Sequence, residues 1–232
     1  SQVAVTYDAT APTVDIQGEP AATNGAFPVT FEFSEDVTGF DGSDVTLTNA
    51  TLSNFTAVDG NTYTATITPD GNGNVAIDVP AAVAQDAATN DNTAATQAIV
   101  VYDADAPGVS INNAPGTINS TAPFNVTVDF TEDVNGFTSG DVSVTNATVT
   151  GFTQVDGNTW TVEITPDGNG NISLDIAGAV ATDAAGNNNT AATQVNVILD
   201  SDGDGIYNWS DNCPDVANSE QSNFDGDANG NV

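Results

Sequence analysis

The chain has 232 residues, 32 of them acidic, and no lysine, arginine or histidine. A formal charge of −32 repels phosphate backbones and anionic lipid, which argues against nucleic acid and membrane surfaces as partners. It also leaves no imidazole base, Schiff-base amine or cationic anion clamp, so the chain is expected not to be an enzyme. Paired carboxylates that could cleave a glycoside are the chemistry that remains.

Hydrophobic residues make up 39% of the chain, enough for ordinary cores and against simple disorder. They are mainly Val, Ile, Phe and Ala among many Thr, punctuated by Gly, Asn, Asp and Pro, which is the vocabulary of strands and turns. No apolar run reaches the roughly 18 residues of a membrane span. No signal peptide stands at Ser1, so a mature or excised chain is expected. Self-repulsion at this charge opposes compaction unless bound cations screen it, which favours a location outside the cell, where divalent ions are plentiful. The single Cys decides nothing about redox compartment.

Residues Ser1–Asp8, SQVAVTYD, read as a strand and return as TQAIVVYD at Thr96–Asp103 and TQVNVILD at Thr193–Asp200. Residues 1–8 therefore read as the closing strand of a preceding module, as a strand donated to a neighbouring subunit, or as a frayed terminus. Two repeats follow, from about Pro12 to Tyr102 and from about Pro107 to Leu199. That period suits a whole small domain rather than a solenoid unit. Within them, apolar residues alternate with polar ones. Val29, Phe31 and Phe33 begin the series, then Tyr63, Ala65 and Ile67, then Val75, Ile77 and Val79. The second repeat has Val126, Val128 and Phe130; Trp160, Val162 and Ile164; and Ile172, Leu174 and Ile176. Alternation of this kind means one buried face and one wet face. Asp-Gly cues at Asp59–Asn61, Asp156–Asn158, Pro69–Asn74 and Pro166–Asn171 predict hairpins between them. About seven strands per repeat predicts an immunoglobulin-like sandwich, with Tyr63 and Trp160 as core aromatics.

The stretch FSEDVTGF, Phe33–Phe40, recurs as FTEDVNGF, Phe130–Phe137. Each copy ends a strand with adjacent carboxylates, Glu35–Asp36 or Glu132–Asp133. In a seven-stranded sandwich the second and sixth strands both return to the end where the preceding linker arrives. Three loops distant in sequence therefore meet there. In the first repeat they bring Asp8, Glu35, Asp36 and Asp86, with Asn90 and Asp91 nearby; in the second, Asp103, Asp105, Glu132, Asp133 and Asp183, with Asn187. Hard oxygen ligands without His or Cys suit Ca2+ rather than zinc or a redox metal, and Mg2+ prefers to keep its waters. The plain alternative is a solvated acidic loop capped by backbone amides.

These repeats resemble the bacterial immunoglobulin-like (Big) modules of secreted adhesins and surface fibres. The likeness rests on the linkers Ala11–Pro12 and Ala106–Pro107, the two FSEDVTGF-type stretches, PDGNGN, and QDAATNDNTAA or TDAAGNNNTAA before the last strand. It implies an extended chain of rigid spacers, sometimes calcium-dependent, without catalysis.

From Asp200 the pattern changes to DSDGDGIYNWSDNCPDVANSEQSNFDGDANGNV. Asp200, Asp202 and Asp204 alternate before a Gly, as a calcium loop presents its carboxylates. With DNCP at Asp211–Pro214, Asn218, Gln221 and the later acids, residues 200–232 resemble a thrombospondin type 3 repeat. The resemblance implies one ion held by Asp200, Asp202, Asp204 and Asp211, with Asn208 standing where an acid is usual. A second ion would fall to Asn223, Asp225, Asp227 and Asn231, with Ala228 in the place of a Gly. The family's next Cys would follow Val232, so Cys213 has lost its partner, or the chain continues, or it pairs between chains. Such a tail is expected to unfold first when calcium is removed.

The sequence thus predicts an all-β protein of two tandem immunoglobulin-like β-sandwiches, residues 9–103 and 104–199, followed by a calcium-bound irregular tail, residues 200–232. The expected role is a calcium-stiffened structural module of an extracellular bacterial fibre, stalk or long adhesin. Its neighbours would be copies joined head to tail or further modules of the same chain. The alternatives are a ligand- or carbohydrate-binding adhesin module, for which Trp209 is the candidate platform, and a non-catalytic spacer of a secreted enzyme. Sequons beginning at Asn49, Asn54, Asn119, Asn125, Asn146, Asn171, Asn188 and Asn208 offer sites for glycans.

Overall fold

The computed structural model describes residues 7–168 and 170–221. The chain divides into two compact units, Ser1–Asp105 and Ala106–Val232. The boundary falls immediately before the linker Ala106–Pro107, and the described part of the tail belongs to the second unit.

The first unit contains β1 (Val14–Gln17), β2 (Ala22–Thr23), β3 (Phe27–Phe33), β4 (Thr46–Thr48), β5 (Ala50–Ala57), β6 (Thr62–Pro69), β7 (Gly73–Asp78) and β8 (Ala98–Tyr102). They form two four-stranded sheets, ordered β1-β3-β6-β5 and β2-β8-β7-β4. All pairs are antiparallel except β2 with β8. The second unit repeats this plan with β9 (Val109–Asn112), β10 (Thr117–Ile118), β11 (Phe124–Phe130), β12 (Val142–Thr145), β13 (Ala147–Gln154), β14 (Thr159–Pro166), β15 (Ile172–Ile176) and β16 (Val195–Leu199). Its sheets are ordered β9-β11-β14-β13 and β10-β16-β15-β12. Among the described residues there is no α-helix.

The alternation read from the sequence is the core. Val29, Phe31 and Phe33 on β3, Tyr63, Ala65 and Ile67 on β6, and Val75 and Ile77 on β7 are all buried, while their neighbours face outward. Trp160 takes the place of Tyr63 in the second unit, opposite Val128 as Tyr63 is opposite Phe31. Threonines fill the outward positions, where β-branched side chains suit a pleated wet surface.

The hairpin expectation holds for Asp59–Asn61, which joins neighbours β5 and β6, and for Asp156–Asn158 between β13 and β14. It fails for Pro69–Asn74. That turn joins β6 to β7, which lie in different sheets. The turn residues serve equally for a crossing between layers, so their chemistry alone does not define a hairpin.

The FSEDVTGF stretch is clamped at both ends. Phe33 and Phe40 are buried and meet edge to face at 5.0 Å, and Phe40 also meets Tyr63 at 5.0 Å and Phe55 at 5.5 Å. In the second unit Phe130 and Phe137 meet at 5.1 Å, and Phe137 meets Trp160 at 5.2 Å. Val37 and Val134 are buried between these anchors. The acids therefore project from a loop whose two ends are fixed in the core.

Candidate metal centres

The two acids of each pair go to different places. In the first unit Glu35 turns towards Asp8 and Asp86, and one carboxylate oxygen of each lies within 4.8 Å of the others. Asp36 lies instead against Gly60 in the β5–β6 hairpin, where a Cβ would meet its carboxyl carbon at 2.5 Å. Asp133 lies in the same way against Gly157. A side chain at either glycine would push the exposed carboxyl group aside. Adjacent loop residues point apart, so an acid pair in sequence is not a pair of ligands in space.

Asp86 is buried and held by its own loop. Its Oδ1 accepts from the backbone N–H of Ala88 and Asn90, each at 2.8 Å, and its Oδ2 accepts from the Asn90 side chain at 2.8 Å. The bond from the Asn90 side chain, with those from the backbone, holds the Asp86 carboxyl below its ordinary value against the effect of burial. Asn90 also donates to the backbone carbonyl of Asp8 at 3.3 Å. Glu35 is shifted the other way. Desolvation raises its carboxyl, and the charges of Asp86 and Asp8 raise it further. The cluster thus holds like charges together with no basic residue to offset them.

In the second unit Glu132 and Asp183 approach each other likewise, with oxygens within 4.8 Å. Burial acts to raise the Asp183 carboxyl, but bonds from the Asn187 side chain and from the N–H groups of Asn187, Gly186 and Ala185 outweigh it and hold it low. Asp103 and Asp105 end the first unit, where the Asn72 side chain bonds to both carboxylates.

Sequence reasoning missed Asn92 and Asn189. Both are buried, and each satisfies four backbone groups. Asn92 accepts from Val83 and Ala84 at 2.9 and 2.8 Å and donates to Pro80 and Thr93 at 3.0 and 2.8 Å. Asn189 repeats all four bonds on Val180, Ala181, Ala177 and Thr190. These side chains lock the loop that presents Asp86 or Asp183. The signal was available, because NDNT and NNNT place Asn at the same position of each repeat.

In the tail, Asp200, Asp202 and Asp204 converge within 4.8 Å. Asp200 is buried; its two oxygens accept from Gly203 and Gly205 at 2.9 and 3.2 Å. Asp202 Oδ1 accepts from Asp204 at 3.1 Å, and Asp204 accepts from Ile206 and Asn218 at 2.8 and 2.7 Å. Asp211 Oδ1 accepts from Cys213 and from the Gln221 side chain, each at 2.8 Å. The Oδ2 atoms of Asp202 and Asp211 are buried without a hydrogen-bond partner. Burial raises the Asp202 carboxyl, and the charges of Asp204, Asp211 and Asp200 add to that rise. Asn208 closes the loop: it accepts from Ser201 N–H and donates to Ser201 Oγ, both at 2.7 Å. Buried, unpartnered carboxylate oxygens beside two further acids are a donor set for a hard cation. The residues present therefore fit Ca2+, with Asp200, Asp202, Asp204 and Asp211 as its carboxylates. Asn223, Asp225, Asp227 and Asn231, assigned to a second ion, lie outside the described residues.

Two repeated β-sandwiches with acid-lined loops define a modular, immunoglobulin-like protein. Residues 8–101 and 103–199 each match the family described as "Bacterial Ig-like domain", and the chain belongs to that family. No curated protein matches it. Among solved structures it is similar to invasin, a bacterial integrin-binding protein, at 14% identity and a TM-score of 0.39, covering 70% of this chain and 36% of that one. It is similar to InvD of Yersinia pseudotuberculosis at 18% identity and a TM-score of 0.36, covering 81% and 57%. The adhesin InvE of the same organism gives 18% and 0.30, covering 82% and 58%. The chain thus spans well under two thirds of each of those structures. Among the described residues no helix is long and apolar enough to cross a membrane.

Proposed function

We propose that the chain is a structural spacer of an extracellular bacterial fibre, stalk or long adhesin, stiffened by calcium at the start of each module and in the tail. The observation that carries this reading is the convergence of Asp8, Glu35 and Asp86 from three distant points of the chain in a protein without one basic side chain. An ion there ties the incoming segment to two loops of the module, and Glu132 and Asp183 stand in the second unit as Glu35 and Asp86 do in the first. The orphan oxygens of Asp202 and Asp211 support a further ion in the tail. Extracellular modules work with weak sites, on the order of 10⁻⁴–10⁻³ M. A role outside catalysis agrees with the absence of His, Lys and Arg. Head-to-tail contact between copies, or covalent neighbours in one longer chain, would serve the same purpose.

Calorimetric titration with calcium tests the reading. Uptake by the wild type, reduced by Glu35→Gln and again by Asp202→Asn with Asp211→Asn, supports it; a flat titration removes it. One observation favours a second reading as a carbohydrate-binding module. Trp209 is 66% exposed beside the tail loop, with Tyr207 36% exposed nearby in sequence. An aromatic platform of this kind stacks on sugar rings, and glycan-array binding lost in Trp209→Ala would establish it.

A further inference from the structure

The turn between β6 and β7 does more than reverse the chain. Its shape is set by Asn49, which donates through its side chain to Gly71 at 2.6 Å and accepts at its backbone carbonyl from Asp70 at 3.0 Å. The first residue of β7, Gly73, is paired with the last of β8, Tyr102. One step beyond that pair, Asn72 therefore faces the segment that leaves the sheet. Its Nδ2 donates to Asp103 Oδ1 at 3.2 Å and to Asp105 Oδ2 at 2.9 Å, and its Oδ1 accepts from the N–H of Ala104 at 2.9 Å. The segment is braced from within by Asp105 N–H on Asp103 Oδ1 at 2.9 Å, and from behind by Asp103 N–H on the Thr23 carbonyl at 3.0 Å.

One amide group thus holds a backbone N–H and two carboxylates of the same three residues. Two like charges are brought together with no lysine or arginine to neutralise them. The shared N–H₂ is a donor to both, and amide-to-carboxylate bonds are stronger than neutral ones. Aspartate at this position would lose the donor and add a third negative charge, and alanine would lose all three bonds.

We propose that Asn72 is a positioning residue: it latches Asp103–Asp105 onto the β6–β7 turn and so sets the two carboxylates in place before an ion arrives. That the carboxylates then serve an ion rests on the calcium reading above; the latch itself does not. Groups that orient metal ligands typically change affinity by about 10- to 100-fold when removed.

The test uses the full chain as wild type, Asn72→Ala and Asn72→Asp, with amide hydrogen exchange in chelator and calcium titration in parallel. Exchange of Ala104 N–H in chelator is expected to be slowed in the wild type and to accelerate by about tenfold or more in Asn72→Ala, with Asn72→Asp, which keeps an acceptor for Ala104 but loses the donor to both carboxylates, in between. Core amides of β7 at Val75 and Ile77 serve as the folding control and are expected to stay protected. Calcium uptake at Asp103–Asp105 is read in the background of Glu35→Gln with Asp202→Asn and Asp211→Asn, which disables the other proposed sites, and Asn72→Ala is expected to weaken it by about tenfold. Unchanged exchange at Ala104, or unchanged affinity despite a released Ala104, overturns the proposal. A wild type that takes up no ion beyond the tail sinks the calcium reading instead, and Ala104 exchange then decides the latch alone.

Discussion

Gly60 and Gly157 lie under the carboxyl groups of Asp36 and Asp133 so closely that a Cβ at either would collide with them. The colliding atoms are the end of an exposed, flexible side chain that can swing aside, so Gly60→Ala is expected to cost at most about 1 kcal/mol. Gly25→Ala, which meets nothing within 4 Å, is expected to stay within about 0.5 kcal/mol; denaturant unfolding measures both. Asn92→Ala leaves two buried donors and two acceptors unserved and is expected to cost about 3 kcal/mol or more. The ionisable groups give opposite slopes. Asp86 and Asp183 are held below their ordinary value, so the stability they contribute is complete above the unfolded value of 3.8 and is lost as pH falls below it. Glu35 is raised above 4.5, so the folded first unit loses stability as pH climbs from that value through the folded one. At pH 7 in chelator Glu35→Gln is therefore expected to raise the melting temperature, and in millimolar calcium to lower it. A substitution whose sign does not reverse with calcium would show that Glu35 meets no ion.

At the scale of elements, Phe40 is the hub of the first unit, in ring contact with Phe31, Phe33, Phe55 and Tyr63. Phe40→Ala is expected to cost about 3–5 kcal/mol and to loosen the loop that carries Glu35, so calcium uptake should fall with stability in the same titration. The strands and their faces were legible in the sequence because alternation of Val, Ile and Phe with Thr has one physical reading in a two-layer sheet. Tyr63 and Trp160 followed from that register. The meeting of Asp8, Glu35 and Asp86 was legible because strand direction alone brings those loops to one end. What stayed hidden depends on single torsions. The opposite paths of Glu35 and Asp36 are set by how the loop turns between Phe33 and Val37. The bonds between Asn208 and Ser201 depend on closure of the tail loop. Asn72 and Asn92 looked like turn residues because Asn favours turns wherever it stands, and its side-chain partners appear only in three dimensions.

For the whole molecule, one plan is used twice, with the aromatic clamp, the buried Asn and the acid-bearing loops repeated in each unit. The tail adds a third acid cluster built directly on the last strand: Asp200 N–H donates to Ile118 of β10 at 2.9 Å while its carboxylate faces the loop. Removing calcium is accordingly expected to unfold the tail first. Trp209 is exposed and Trp160 is buried in the core, so the tail transition should appear in Trp209 emission before near-ultraviolet dichroism of Trp160 is lost. The central claim is that calcium stiffens a chain that cannot neutralise its own acids. The most direct measurement is a thermal melt with small-angle scattering of the same sample, first in millimolar calcium and then in chelator. The account predicts a rise of about 2.7 kcal/mol per independent site at 100 times its dissociation constant and a change from a rigid to a flexible particle on chelation. Identical melts and identical scattering in the two conditions would contradict it.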